Sequence, residues 1–178
     1  MTTAPHSSRA AGGRGGFPFL PPLPLFLLNP ILKRVVHKIA ADNPDMFDRL
    51  GQHRHAYFLI DPVDVPLMLY LRPDPEALDF RAVGRRRAPP PHIARISGKF
   101  LDLLTLMDTE QDGDALFFSR DLIVTGDTEA VVCLRNALDD VEEPIAESVA
   151  AMFGAPGKMA LNSLRRMAEN AQKRKEAK

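Results

Sequence analysis

Between residues 54 and 96 the chain carries short apolar runs cut apart by proline and glycine, and this stretch decides the fold class. The runs are too short for helices and too apolar for loops, so they read as strands. Arg54-His55-Ala56-Tyr57-Phe58-Leu59-Ile60-Asp61 is the first and Val65-Pro66-Leu67-Met68-Leu69-Tyr70-Leu71 the second. Residues 78–83 and 92–96 supply a third and a fourth, separated by a loop holding Arg85, Arg86, Arg87 and the run Pro89-Pro90-Pro91, and residues 120–125 a fifth. Apolar residues fall on alternate and intervening positions, so both sheet faces are expected to be covered or to line a cavity. Pro66, near a strand start, suits an edge strand.

Helical spacing flanks these strands. Pro30 fits a first helical turn, followed by Ile31, Leu32, Val35, Val36 and Ile39 at helical intervals. Asn43-Pro44 ends that helix or starts a short second one through Met46, Phe47 and Leu50, closed by Gly51. Ser97 is a candidate cap for a helix whose broad apolar face holds Phe100, Leu101, Leu103, Leu104 and Met107. Asp127 caps another, with Ala130, Val131, Leu134, Ala137, Leu138 and Val141 on one stripe. Pro144 opens a further helix to about residue 153, residues 154–157 form a break, and a basic helix runs from residue 158. This order predicts an α+β domain with helices against a mainly antiparallel sheet.

A chain of 178 residues suits one domain with tails. The formal net charge of zero argues against a general nucleic-acid binder. A single cysteine, Cys133, forms no internal disulfide and is expected as a buried, inert thiol on a helix. Residues 1–16, rich in Ser, Gly, Ala and Arg, are expected to be disordered. The apolar residues 17–28 hold Pro18, Pro21, Pro22 and Pro24, which reads as an extended strip rather than a signal peptide or a span. Such a strip is expected to cover a cavity mouth, dock on a partner or touch a bilayer. These features together predict a cytoplasmic protein.

Catalytic constellations are scarce. No G-x-S-x-G, P-loop or G-x-G-x-x-G occurs, and the glycine-rich Gly12-Gly13-Arg14-Gly15-Gly16, with no strand before it, reads as a flexible linker. His53 and His55 form an H-x-H pair that lacks partners to complete a metal site, so surface histidines are the preferred reading. Asp139, Asp140, Glu142 and Glu143 read as a solvated helix boundary. An enzyme would require a polar pair such as His55 with Asp61 to converge in a pocket. Residues 158–178 carry seven basic and two acidic residues, with Leu161, Leu164, Met167 and Ala171 near one helical face. That helix either packs on the core or lies on an anionic membrane surface.

The stretch 112–141 is the most specific. An Asp112-Gly113 break, a Leu116-Phe117-Phe118 step and the strand-to-helix turn Ile123-Val124-Thr125-Gly126-Asp127-Thr128-Glu129 resemble the C-terminal half of an SCP2 sterol-binding domain. Within that superfamily the chain is most similar to accessory factors of ubiquinone biosynthesis, over roughly residues 23–141. The resemblance implies an SCP2-like α+β fold: a mainly antiparallel five-stranded sheet with helices packed around an apolar cavity. It divides the chain into a tail (1–22), a lipid-binding domain with a helical N-terminal extension (23–153) and a basic C-terminal helix (154–178).

The function implied is non-enzymatic: presenting a polyprenylated quinone precursor or membrane lipid to modifying enzymes, with no cofactor or metal of its own. Partners implied are ubiquinone-biosynthesis proteins, including iron–sulfur hydroxylation proteins; a cluster would belong to them, because one cysteine cannot ligate it. Peripheral contact with the inner membrane is a further expectation. Phe100, Leu103, Leu104, Met107, Phe117, Phe118 and Leu122 are the candidate cavity wall, and ordinary core packing is their alternative reading.

Overall fold

The computed structural model describes residues 24–86, 88–106, 122–139, 141 and 145–176. Helix α1 (Leu25–Asp42) leads through a 3₁₀ segment (Pro44–His55) into strands β1 (Phe58–Pro62), β2 (Leu67–Arg72), β3 (Asp79–Gly84) and β4 (Ala94–Gly98). Helix α2 (Phe100–Leu106), strand β5 (Ile123–Gly126) and helices α3 (Thr128–Asp139), α4 (Ile145–Met152) and α5 (Gly154–Glu176) follow. Expectations for residues 1–23, for Arg87, Met107, residues 112–121 and Asp140, and for Glu142, Glu143 and Pro144 lie outside the described residues.

The five strands form one sheet in the order β3-β2-β1-β4-β5. Its pairings are antiparallel except that of β1 with β4, which is parallel. Strands β1 to β3 form a meander on one side of β1. The chain then returns along residues 85–93 and enters the other side of β1 in the same direction, the long connection that a parallel pair requires.

Strand alternation gives the sheet two unlike faces. The inner face presents Phe58, Ile60, Ala94, Ile96 and Val124 to Met46, Phe47 and Leu50 of the 3₁₀ segment and to Ala130, Val131, Leu134 and Ala137 of α3, in one apolar cluster. The outer face holds a smaller cluster of Leu59, Met68 and Tyr70 with Tyr57 and Val83 against it. Asp61 is fully buried between two arginines on that outer face.

The local signals were partly overridden. Helix α1 starts at Leu25, five residues ahead of the expected Pro30, which lies inside it. Pro24 takes the extended N-cap position and its carbonyl accepts from the N–H of Leu27 at 2.9 Å. An interior proline costs about 3 kcal/mol. Tertiary contacts offset this: α1 packs on β3, and the side chain of Asn29 accepts the N–H of Ala82 at 2.7 Å on that edge strand. Strand β1 begins at Phe58 rather than residue 54, because residues 44–55 coil as 3₁₀ turns that seat Phe47 and Leu50 in the core. Pro66 immediately precedes β2, an interior strand, and so removes no ladder bond.

Two helix starts explain themselves. Ser97 lies within β4, and the cap of α2 comes instead from Asp64, whose Oδ1 accepts the Phe100 N–H at 2.8 Å. Asp127 caps α3 as expected, accepting the Ala130 N–H at 3.0 Å. Gly126, at φ 91°, makes that turn possible: a Cβ there would lie 2.3 Å from the Ile93 carbonyl oxygen. The break expected at 154–157 falls instead at Phe153, and residues 154–157 form the first turn of α5. Gly157 then lets α5 cross α4 at the Ala150 carbonyl, 2.2 Å from where a Cβ would stand.

Candidate functional site

Helix α2 stands against β4 on the inner side of the sheet. Of its residues, Leu103 is buried at 7% exposure, while Phe100 and Leu104 are half-buried. Leu122, just before β5, is 8% exposed. Leu103 and Leu122 join the same cluster as Phe58, Ile96, Val131 and Leu134. Met107, Phe117 and Phe118 lie outside the described residues. The cluster is built of hydrocarbon and the Met46 thioether, which suits an apolar chain.

A cleft of about 460 Å³ opens where α1 meets the β2–β3 connection. One wall is α1, with Lys33, His37, Ala40 and Ala41 on one helical face. Pro75, Glu76 and Ala77 form the opposite wall, and Phe47 and Leu78 lie between. Phe47 belongs to the inner cluster and Leu78 packs on it, so the cleft floor is the outside of the core. Sequence reasoning missed this site, since its walls come from segments more than thirty residues apart and carry no motif. The only local hint is Ala40-Ala41, two small residues that leave space on a helix face otherwise bearing Lys33 and His37.

The wall at 75–77 is held by an ionic knot. Asp74 is 3% exposed. Its Oδ2 accepts from His55 Nδ1 at 2.9 Å and from Arg72 at 2.8 Å, and its Oδ1 from the backbone N–H of Glu76 at 3.1 Å. The hydrogen bond from His55 above all, then those from Glu76 and Arg72, hold the Asp74 carboxyl below its ordinary value against the opposing effect of burial. His55 Nε2 lies 3.2 Å from Arg54 Nε, which donates to it.

His55 therefore pairs with Asp74, and not with Asp61. Asp61 instead receives Arg85 on one oxygen and Arg95 on the other. Arg85 is thereby withdrawn from the basic loop, its Nε also donating to the Val65 carbonyl at 2.7 Å. Beside this triad, Tyr57 and Tyr70 stack with centroids 4.2 Å apart, and the Tyr70 hydroxyl donates to the Pro91 carbonyl. Burial, then the neighbouring Tyr57, raises the Tyr70 phenol above its usual value and keeps it a donor. His53 is buried, and among the described residues no three His, Cys, Asp or Glu side chains cluster to hold a metal. Cys133 is half-buried on α3, less enclosed than its apolar neighbours suggested.

On α5, Leu161 packs with Ala146 and Ala150 of α4, and Arg165 reaches Glu147 at 3.0 Å. Leu164 is half-buried, whereas Met159 and Met167 stay exposed. Among the described residues no helix is long and apolar enough to cross a membrane.

A family model, the SCP-2 sterol transfer family, matches residues 32–139. No curated protein matches the chain. Among solved structures, the chain is similar to a UbiJ-SCP2 ubiquinone synthesis protein at 17% identity and a TM-score of 0.52, over 69% of this chain and 96% of that one. An apo sterol carrier protein 2 from Yarrowia lipolytica (11% identity, TM-score 0.42) is aligned over 66% of this chain and 91% of its own length. Sterol carrier protein domain 2 of Helicoverpa armigera (13%, 0.40) is aligned over 67% and 91%.

Proposed function

Because the chain belongs to the SCP-2 sterol transfer family, we propose that it is a lipid-binding accessory factor that holds a polyprenylated quinone precursor, or a membrane lipid, for modifying enzymes. The observation that carries this is the family match across 32–139, which spans the sheet and most of the inner apolar cluster. Burial of hydrocarbon gains roughly 0.8 kcal/mol per methylene, so ten chain carbons gain about 8 kcal/mol without any directional contact. A wall of Leu103, Leu104, Leu122 and Phe100, extended by Met107, Phe117 and Phe118, would supply that burial.

The link to ubiquinone rests on two supports. One is the likeness of residues 23–141 to accessory factors of the UbiT type. The other is the name of the structural neighbour, a ubiquinone synthesis protein. Partnership with other ubiquinone-biosynthesis proteins, including iron–sulfur hydroxylation proteins, and peripheral contact with the inner membrane belong to the same reading. So does a non-catalytic role with no cofactor, for which the separation of His55 from Asp61 is support.

The test is mass spectrometry of lipids extracted from the full-length protein purified from its own host. Near-stoichiometric recovery of a polyprenylated quinone precursor or a phospholipid is the expected result. Protein that is consistently empty, and takes up no lipid when offered, removes the reading.

A further inference from the structure

The cleft between α1 and the β2–β3 connection has a polarity that the inner cluster lacks. We propose that it binds the anionic head of an amphiphile, with Lys33 and His37 on the head and Phe47 and Leu78 beneath the first carbons of the tail. This deepens the lipid-handling reading and rests on it.

Three observations carry the proposal. The first is size and lining: about 460 Å³ accommodates a carboxylate, a phosphate or a substituted ring with a short apolar stem. The second is charge placement. Lys33 and His37 stand one turn apart on the α1 wall, and Glu76 stands on the opposite wall. An anion is therefore drawn to the α1 side and pushed from the other, which orients it across the cleft. The third is stiffness. Pro44 and Pro75 fix the backbone at two corners. The Asp74 knot with His55, Arg72 and the Glu76 N–H anchors the far wall, and Ala77 N–H closes the turn onto the Asp74 carbonyl at 3.0 Å. A wall held in this way loses little freedom when a ligand enters.

Phe47 is 5% exposed and belongs to the inner cluster, and Leu78 packs on that cluster, so the first tail carbons would lie on the outer surface of the apolar core.

Titration calorimetry of delipidated full-length protein tests this with dodecanoate, dodecyl phosphate and neutral dodecanol. Both anions should bind more tightly than dodecanol, and the tighter of the two identifies the head as carboxylate or phosphate. Lys33→Gln with His37→Gln should weaken both anions about fivefold and leave dodecanol unchanged. Glu76→Gln should strengthen the anions. Ala41→Trp, or Ala77→Phe from the opposite wall, fills the cleft at an exposed position and should weaken all three ligands while thermal unfolding stays unchanged. Anion affinity untouched by the Lys33/His37 pair, or ligand affinity untouched by both filling variants, overturns the assignment. If the filling variants still copurify with lipid and keep their affinities, the cleft fails while lipid carriage stands. If the protein comes empty from its host and takes up no phospholipid or polyprenylated quinone precursor when offered, but binds dodecanoate in a Lys33-dependent manner, the cleft stands while lipid carriage fails.

Discussion

Phe58 and Leu59 are adjacent, both fully buried, and belong to opposite chemistries. Phe58 faces inward to a cluster of Leu, Ile, Val, Ala, Met and Phe from the 3₁₀ segment, α2 and α3. Leu59 faces outward to a strip that ends in Asp61, Arg85 and Arg95, with two stacked tyrosines and arginines near the rings. Apolar contact is non-directional, so the inner side makes no demand on hydrogen-bond geometry. The outer side is fixed by charge and hydrogen-bond geometry, and any rearrangement there exposes or orphans a buried carboxylate. One sheet thus carries an apolar face and a charge-paired one.

Substitutions on the two faces should separate along that line. Phe58→Ala should have the largest effect, about 4 kcal/mol of unfolding free energy in urea, because it empties the contact between sheet and α3. Asp61→Asn should cost about 2–3 kcal/mol, less than a fully buried pair because the two arginine side chains are 31% and 39% exposed. Its lipid content per folded molecule should stay at the wild-type level. Lipid loss in Asp61→Asn without unfolding would break the division between the faces.

Leu103→Ala and Leu122→Ala should each cost about 2 kcal/mol, the low end for buried leucines, and lower the lipid recovered. A cost near 5 kcal/mol with unaltered lipid would make both of them plain core residues.

The smallest effect concerns Asp74. Its carboxyl is held below the unfolded value, so its contribution to stability is complete above about pH 4 and is lost as pH falls through the native value. The stability gap between wild type and Asp74→Asn should be constant above pH 4 and close below it, as read from urea unfolding at a series of pH values. A gap that is unchanged at pH 2 would remove the ionic origin of the knot.

The sequence disclosed the faces better than the edges. Runs such as Phe58-Leu59-Ile60 and Leu67-Met68-Leu69 announce strands because apolar density and flanking prolines are local signals. The parallel pairing of β1 with β4 depends on where residues 85–93 lead the chain, which no local pattern encodes. The start of α1 at Leu25 was hidden by Pro30, since the compensating bond from Ala82 to Asn29 joins residues 53 apart. His55 sits nineteen positions from Asp74, and no local pattern joins them; the pairing with Asp61 that an enzyme would have required does not form. The burial of Leu103 was legible from helical spacing. The cleft was not, because it exists only when α1 is laid beside the β2–β3 connection.

Intermolecular NOE spectroscopy on the lipid-loaded protein, with methyl groups labelled, tests the two-faced sheet most directly. Cross-peaks from the lipid chain to the methyls of Leu103, Leu104 and Leu122, with none to Leu59, Met68 or Val83, are the predicted result. Cross-peaks confined to Leu59, Met68 and Val83, or a chain touching neither set, would contradict it.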